Sequence, residues 1–522
     1  MRDVLKYLSK VSYDCSFMSS SLVFTLGDDC TILFRFKDCA EDLENLELDD
    51  ICEQIVDRVD VCYTTLVSDD SDEHCHSLRP FTFLARLIER TLNGRYKGSV
   101  QNLEIGIQLD EDCLMCPYDF YGFRFNIPVE YWTRLDFFIS VAQIMLELGR
   151  KYQVPAFYSQ YIKIPDDKII RILTTNTKAR RLGYFRLLMR FMEEKKRVPI
   201  SVMNHKFEEY VSIYDDDLKR YGNERGAIIS TKTGNSAKPY LEVATALGLI
   251  RKSTGTYEIG KVGKVYNDIC KLARAVDSNI FELSDVEKSF LLEQLLKNDY
   301  LYTYNILEYS FGSENNSYSR LKSTFQACLL SSIRAMIKET TESGKKAGLL
   351  VIEKRIEMWD KPSVYLEHIL MPRLNWLYDL GIIDLKPNLN YSLTEFGERL
   401  YYHLSLWNDY SMDFVSNPSN YLGSFYMQTY SDCNRMQIRT YGSGDGNMFN
   451  EYLSDCFRMY KTMAPNRVTF SMASNYIRYN LLWEKGCVLE EDQMKKLLEN
   501  EYKDKFIFRF QNQYKDGYIQ KR

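Results

Sequence analysis

Residues 236–263 read SAKPYLEVATALGLIRKSTGTYEIGKVG, and this stretch decides the fold of the centre of the chain. Ser236 is a suitable N-cap, and apolar residues follow at helical spacing up to Leu247. Gly248 then stands where a helix takes a left-handed C-terminal residue. Two short β-rich segments flank a turn at 253–255, and a second helix opens at 260–263. The stretch therefore predicts a helix, a hairpin and another helix.

The same pattern recurs further along the chain, in residues 369–397. Its Leu380-Gly381 pair matches Leu247-Gly248, and Gly397 matches Gly263. A turn at 386–388 and a strand at 391–393 follow in the expected order. Two copies that agree on helix end, hairpin and next helix make the pattern more specific than one copy would. A third, weaker copy is predicted in residues 490–519.

Helix, hairpin and helix form the back half of a winged helix-turn-helix. The block Thr231–Leu296 resembles the winged-helix DNA-reading domains of type IIS restriction endonucleases and of bacterial defence-system accessory proteins. The residues that carry the resemblance are 236–241, 247–250, 258–263 and the helix 287–296, which opens with a predicted capping box at 284–287. Such domains also serve as protein–protein modules, for example in kleisin-type accessory subunits of SMC complexes. The resemblance implies a fold, and DNA binding as one of its uses.

A chain of 522 residues predicts three or four domains. We expect an α+β, helix-rich, multi-domain protein with two or three winged-helix units after an N-terminal α+β domain. The N-terminal domain is predicted from a hairpin (21–26 and 31–36), strands at 103–109 and 121–127, and helices at 81–92 and 130–152. The expected boundaries are 1–165 for this acidic domain, 170–275 for a basic winged-helix domain, 276–345 for a helical connector, 346–410 for a second winged-helix domain, and 411–522 for a C-terminal helical domain.

The net charge of −5 conceals a strong asymmetry. Residues 1–170 hold 17 Lys and Arg against 29 Asp and Glu, whereas residues 171–280 hold 21 against 12. Charge blocks of this kind indicate partners rather than fold. A basic central domain predicts contact with nucleic acid.

Two groups of cations are candidates for that contact. One is the basic run 178–197, whose cations could neutralise phosphates. The alternative is that they form a solvated helix surface. The other lies at the start of the 236–247 helix and on its hairpin, where a winged helix meets the DNA groove and backbone, unless Pro239 and Tyr240 pack this end against another domain. The predicted nucleic-acid-binding residues are Lys178, Arg180, Arg181, Lys232, Asn235, Lys238, Arg251 and Lys252.

The second copy differs chemically from the first. The start of its helix, residues 367–373, is more apolar, and its hairpin turn at 384–387 is nearly neutral. We therefore interpret it as an interaction module.

Catalytic and metal-binding patterns are weak. Cys113 and Cys116 have CxxC spacing, and His74-Cys75-His76 lies upstream, but a single CxxC does not make a convincing zinc site. Residues 442–446 are glycine-rich without the features of a phosphate loop, and 215–217 is an acidic run of the kind found in solvated turns. We predict no metal and no cofactor, and an enzyme is the less favoured class.

The leading hypothesis is a non-catalytic, DNA-binding subunit of a bacterial multi-protein system for anti-phage defence. It would bind double-stranded DNA and a protein partner such as an ATPase, a nuclease or an SMC-like protein. The first alternative is a structural accessory subunit whose winged helices grip such a partner. The second is a divergent nuclease with acidic residues Asp110, Glu111, Asp112 and Asp119 in its site. The sequence shows no membrane span, secretory signal or small-molecule site, which predicts a cytoplasmic location.

Overall fold

A computed structural model gives the fold. It describes residues 2–12, 14–18, 21–25, 31–36, 47, 49–50, 59–66, 106–110, 120–126, 172–221, 226–272, 279–311, 315–339, 343–359, 361–407, 418–460, 462, 464–511 and 516–522. The chain divides into two compact units. Met1–Lys163 and Ser405–Asp409 form the N-terminal unit, and Ile164–Leu404 and Tyr410–Arg522 form the main unit.

The N-terminal unit combines a helix with an antiparallel sheet. The elements are α1 (Arg2–Val11), β1 (Asp14–Met18), β2 (Ser21–Thr25), β3 (Thr31–Phe36), β4 (Val59–Leu66), β5 (Gly106–Asp110) and β6 (Phe120–Asn126). The six strands lie in the order β1-β2-β3-β4-β6-β5. The predicted β2–β3 hairpin is confirmed, with Ser21 opposite Arg35 and Thr25 opposite Thr31. The helices predicted at 81–92 and 130–152 lie outside the described residues.

The main unit begins with a helical segment that ends in a hairpin, here called the first repeat. Its elements are α2 (Gly183–Lys195), β7 (Arg197–Pro199), α3 (Ile200–Val211), α4 (Asp215–Arg220), α5 (Lys238–Ala246), β8 (Ile250–Ser253), β9 (Thr256–Ile259) and α6 (Lys261–Ile269). The predicted helix, hairpin and helix are α5, β8–β9 and α6. Apolar side chains of α2 and α5 form the core, with Phe185, Leu188, Leu241 and Ala244 at most 1% exposed.

The second repeat follows, with longer helices. Its elements are α7 (Asp285–Ser310), β10 (Asn316–Ser317), α8 (Tyr318–Glu339), α9 (Ser343–Glu357), α10 (Pro362–Asp379), β11 (Ile383–Leu385), β12 (Asn390–Leu393) and α11 (Glu395–Trp407). The predicted capping box of Ser284 and Glu287 opens α7. Because β10 pairs with β12, the 276–345 segment contributes a strand to this repeat and is more than a connector.

The third repeat closes the chain. Its elements are α12 (Pro418–Cys433), β13 (Arg439–Thr440), α13 (Gly446–Met459), β14 (Arg467–Thr469), α14 (Phe470–Lys485), β15 (Cys487–Val488), α15 (Glu491–Lys496), β16 (Phe506–Gln511) and β17 (Asp516–Lys521). The helix and hairpin predicted at 490–519 are therefore present. A π-helical turn, Leu497–Glu501, continues α15.

The three repeats share one order of elements. Each has a helix, a short strand that runs directly into a second helix, a later helix, and a hairpin. In each sheet the short strand pairs with the last strand of the hairpin, giving the orders β7-β9-β8, β10-β12-β11 and β14-β17-β16. All of these pairings are antiparallel.

The glycines common to the first two copies have a structural cause. Gly248 and Gly381 end their helices with φ values of +74° and +73°, which an L side chain rarely adopts. Gly263 and Gly397 lie in the helix after the hairpin, where a Cβ atom would stand 2.1 Å from the carbonyl oxygen of Leu249 or Ile382. The helix thus approaches the backbone just beyond the left-handed glycine, and only glycine fits there in both repeats.

A network of buried polar groups holds the second repeat to the segment 172–182. Asp299 interrupts the helical geometry of α7, with φ −148° and ψ 31°. Its carboxylate accepts two hydrogen bonds from Arg373, at 2.6 and 2.7 Å, and one from the backbone N–H of Leu173. Arg373 also donates to the hydroxyl of Thr175 and to the carbonyl of Leu173.

No helix in the described part of the chain is both long and apolar enough to span a membrane.

Candidate nucleic-acid interface

Helix α5 turns its apolar residues inward and presents a short polar face to solvent. Tyr240 is 1% exposed, and its hydroxyl donates to the carbonyl of Gly226 and accepts the backbone N–H groups of Arg180 and Arg181. The outward face carries Lys238, Glu242 and Ala246. Lys238 lies 3.9 Å from Glu242, so the positive charge of this face is largely balanced.

The start of α5 is already occupied by an anion of the chain itself. Glu208 on α3 is 1% exposed, and its carboxylate accepts the backbone N–H groups of Thr231, Ser236 and Ala237. The helix begins one residue later than the sequence suggested, with Ala237 as its N-cap. The Ser236 hydroxyl instead accepts the N–H of Ile229. The N–H groups of Ser236 and Ala237 are therefore not open to a phosphate.

The β8–β9 hairpin carries cations on both of its faces. Arg251 and Arg197 lie on either side of Glu258 and contact its two carboxylate oxygens at 3.1 and 2.9 Å. Both arginine side chains remain open to solvent, at 61% and 73% exposure, so two guanidinium groups share one carboxylate there. Lys252 is exposed, and its ammonium group lies 5.5 Å from the ring centre of Tyr257.

Helix α3 brings the hairpin and the loop before α5 to one side of the repeat. The backbone N–H of Ile200, at its start, donates to the carbonyl of Gly255 in the hairpin turn. One turn on, Asn204 packs against Gly234, and Glu208 follows a further turn on. At 1.5 Å per residue these points lie about 6 and 12 Å along the helix from Ile200. The two segments that carry the exposed cations therefore contact α3 at points no more than about 12 Å apart.

We call this group the basic surface. It consists of Lys196, Arg197, Lys232, Asn235, Lys238, Arg251 and Lys252, all of which are exposed. Five of these are residues that the sequence predicted as nucleic-acid ligands. Lys196 and Arg197 belong to the predicted basic run, and the structure adds them because β7 pairs with β9.

The remaining predicted ligands are placed differently. Lys178 is exposed. Arg180 is half-buried, and its Nε–H donates to the carbonyl of Thr177.

The prediction for Arg181 is wrong. Its side chain is fully buried, and its Nη1 atom lies 2.6 Å from the Asp379 carboxylate of α10. That carboxylate also accepts from the backbone N–H of Leu182 and from the Tyr221 hydroxyl. Burial raises the pKa of Asp379, and Arg181 opposes that rise. Arg181 therefore joins the first and second repeats and is not available to a phosphate.

The rest of the basic run also separates into two classes. Arg186 binds the buried carboxylate of Glu287 and the carbonyls of Ile280 and Glu282, so its guanidinium group is engaged within the protein. Arg190 and Lys195 are exposed on α2. The apolar residues of α2 determine which cations are buried, because side chains beside them point into the core.

The carboxylates that balance these cations could not be recognised from the sequence. The hydrogen-bond partners of Glu208 lie 23–29 residues further along the chain. Glu258 pairs across strands with Arg251, which lies 7 residues away. No local sequence pattern therefore marks either carboxylate. An alternation of Arg, Glu and Arg across three strands could be found only once the pairing of β7 with β9 was known.

The helix of the second repeat that corresponds to α5 is α10, and it faces the interior. Leu370, Arg373, Leu374 and Trp376 are each at most 2% exposed. The indole N–H of Trp376 donates to the carbonyl of Ala179 at 2.8 Å. The later part of α10, from Leu370 to Trp376, therefore has no open face for a DNA groove.

Most residues of the other candidate sites lie in parts of the chain that the structure does not describe. Cys113, Cys116 and residues 74–76 lie outside the described residues, as do Glu111, Asp112 and Asp119. Asp216 and Asp217 lie in the first turn of α4 and pair with Lys219 and Arg220. Where the chain is described, no group of three or more His, Cys, Asp or Glu residues could hold a metal ion.

The glycine-rich stretch forms a fixed turn. Residues Ser443–Asp445 make one 3-10 turn, and both carboxylate oxygens of Asp445 lie 2.7 Å from the guanidinium of Arg439. This pairing lowers the pKa of Asp445 to about 2.

Comparison with known proteins identifies no matching protein family, no similar characterised protein and no similar solved structure.

Proposed function

We propose that this protein binds double-stranded DNA through the basic surface, as a non-catalytic subunit of a multi-protein system. In this proposal each repeat is a winged-helix unit, α5 is the helix that approaches the groove, and the β8–β9 hairpin is the wing. The shared sheet order and the glycines of the first two repeats support that assignment. The observation that carries the proposal is the exposure of Lys232, Asn235, Lys238, Arg251 and Lys252, which lie on the hairpin, on the loop before α5 and at the start of α5.

The charges favour contact with phosphates over reading of bases. The outward face of α5 offers one lysine balanced by Glu242, and Glu208 occupies the start of the helix. The cations that remain available lie on the hairpin and on the loop before α5. Lysine and arginine at such positions bind the phosphate backbone, which gives affinity with little sequence preference.

A titration with labelled duplex DNA of mixed sequence tests the proposal. Arg251→Ala with Lys252→Ala should weaken binding about tenfold at low salt, because two phosphate contacts are lost. Lys386→Ala, in the corresponding turn of the second repeat, is the matched control and should leave the affinity unchanged. Equal effects of the two variants, or no effect of the first, would refute the proposed interface.

A second candidate function is that of a structural accessory subunit. The observation in its favour is that α10, the counterpart of α5, is used for packing within the chain through Arg181–Asp379 and Trp376. A fold that uses one such helix for protein contact can use its other surfaces in the same way. This candidate predicts a folded protein that binds a protein partner and has no measurable affinity for duplex DNA.

A further inference from the structure

We propose that α9 and the start of α10 form a docking surface for an acidic amphipathic helix of a partner protein. Five large apolar side chains are exposed there: Leu350, Val351, Met358, Val364 and Tyr365, at 47%, 61%, 66%, 51% and 47%. We call these five residues the apolar stripe. They are five of the eleven exposed large apolar residues in the described parts of the chain, and they fall within 16 residues.

Helix α9 is apolar on two opposite faces. Leu349 and Ile356 are at most 2% exposed and form its inner face. This face lies toward α8, where Gln326 donates to the carbonyl of Ile356 at 2.9 Å. Leu350 and Val351 lie on the outer face. A surface helix normally carries charge on its outer side, and a helix that is apolar all round is normally covered all round. In the described parts of the chain, the apolar residues on the outer face of α9 remain open to solvent.

The charges around the apolar stripe indicate which kind of partner would bind it. Lys346, Lys354, Arg355 and Lys361 are exposed beside it and form no ion pair with another described residue. The acidic residues of α9 are already engaged, because Glu353 and Glu357 both bind Arg334 of α8, at 2.7 and 2.6 Å. An apolar stripe with a basic border fits a helix that has leucine-type residues on one face and carboxylates at its edges.

The same border argues against two other occupants. A second copy docked symmetrically would place lysine against lysine, which is repulsive. An anionic membrane could take up only the five partly exposed side chains of the apolar stripe, since the inner face of α9 packs against α8, and this is a small apolar face for a helix that lies in a membrane surface. A helix of another protein satisfies both the apolar stripe and the cations.

Two synthetic amphipathic peptides with the same leucine pattern test the proposal, one bordered by glutamate and one by lysine. The full-length protein should bind the labelled glutamate peptide at least tenfold more tightly than the lysine peptide, measured by fluorescence anisotropy. Val351→Asp with Met358→Asp should weaken this binding at least tenfold. Ile213→Asp changes an apolar residue of the first repeat that is even more exposed, at 75%, and should leave the binding within twofold.

A charge reversal keeps the test independent of folding. Lys354→Glu with Arg355→Glu should shift the preference toward the lysine peptide, an effect that simple misfolding would not produce. Equal binding of the two peptides would overturn the proposal. So would binding of the protein to anionic vesicles, if Val351→Asp with Met358→Asp abolishes that binding. The inference does not depend on DNA binding, since Arg251→Ala with Lys252→Ala should leave peptide affinity unchanged.

Discussion

Arg181 and Asp379 are separated by 198 residues in the sequence, yet their side chains meet at 2.6 Å in the interior of the main unit. Loss of one member of such a pair leaves the other charge buried and uncompensated. We expect Arg181→Met or Asp379→Asn to lower the free energy of unfolding by about 3–5 kcal/mol each. The double variant should cost less than the sum of the two, because neither charge is then left alone.

Urea unfolding followed by tryptophan fluorescence measures this coupling, and Trp376 lies close to the pair as a local reporter. If the double variant lowers the free energy of unfolding by the sum of the two single effects, the assigned ion pair is contradicted. The folded fraction of Arg181→Met should bind duplex DNA as the unmodified protein does, because Arg181 is not part of the basic surface.

We expect Glu490 to make the stability of the main unit depend on pH. It is 1% exposed, and its Oε2 atom lies 3.8 Å from Arg478, which contacts Glu293 more closely, at 3.0 Å. Burial raises the pKa of Glu490 to about 7. A carboxyl group with a raised folded-state pKa binds more protons when folded than when unfolded. Its contribution to stability is therefore present at low pH and is lost as the pH rises from about 5 to about 7.

Comparison of Glu490→Gln with the unmodified protein isolates this effect. The melting temperature of the unmodified protein should fall over that pH range by an amount that the variant does not show. Glu293 and Glu491 have lowered pKa values and lose their stabilising effect only at more acidic pH. Parallel pH curves for the two proteins would show that Glu490 is ionised throughout.

At the scale of secondary-structure elements, the glycines that end α5 and α10 offer a matched comparison. Both have φ near +74°, so alanine at either position costs about 1–2 kcal/mol in backbone strain. An alanine Cβ at Gly248 would also stand 3.2 Å from the Val262 side chain, whereas the space around Gly381 is open. Gly248→Ala should therefore destabilise the protein more than Gly381→Ala does.

Thermal unfolding of the two variants decides this prediction. A Gly381→Ala variant that is the less stable of the two would contradict the close approach of α6 to the end of α5.

The elements that sequence predicted well are those with a local cause. Gly248 with Gly263, and Gly381 with Gly397, mark a helix end and a close approach only 15 or 16 residues apart, so the pattern is visible along the chain. The strand β10 has only two residues and exists because Tyr391 and Asn390 pair with it, so no periodicity could reveal it. It nevertheless completes the sheet of the second repeat.

The same distinction between local and distant causes applies to the residues of the candidate site. Lys232, Lys238, Arg251 and Lys252 could be placed at the surface because the apolar spacing of α5 and of the hairpin leaves them outside. The burial of Arg181 could not be predicted, because its partner lies on a distant helix of the second repeat. Glu208 was missed for a related reason, since its four hydrogen-bond donors come from a loop 23–29 residues further on.

At the scale of the whole molecule, the three repeats have different surfaces although they share one order of elements. The first repeat presents cations on its hairpin, the second turns its α10 helix inward and exposes the apolar stripe, and the hairpin of the third contacts the first through Asp516 and Lys261 at 3.0 Å. These differences suit a subunit that holds DNA with one repeat and a protein partner with another.

The salt dependence of DNA binding tests this account most directly. The logarithm of the affinity for labelled duplex DNA would be measured against the logarithm of salt concentration, from about 50 to about 200 mM. About five phosphate contacts from the basic surface predict a slope near −4.5, and Arg251→Ala with Lys252→Ala should flatten it by about two units. A slope that this double variant leaves unchanged, or the absence of binding at about 50 mM salt and micromolar protein, would contradict the account.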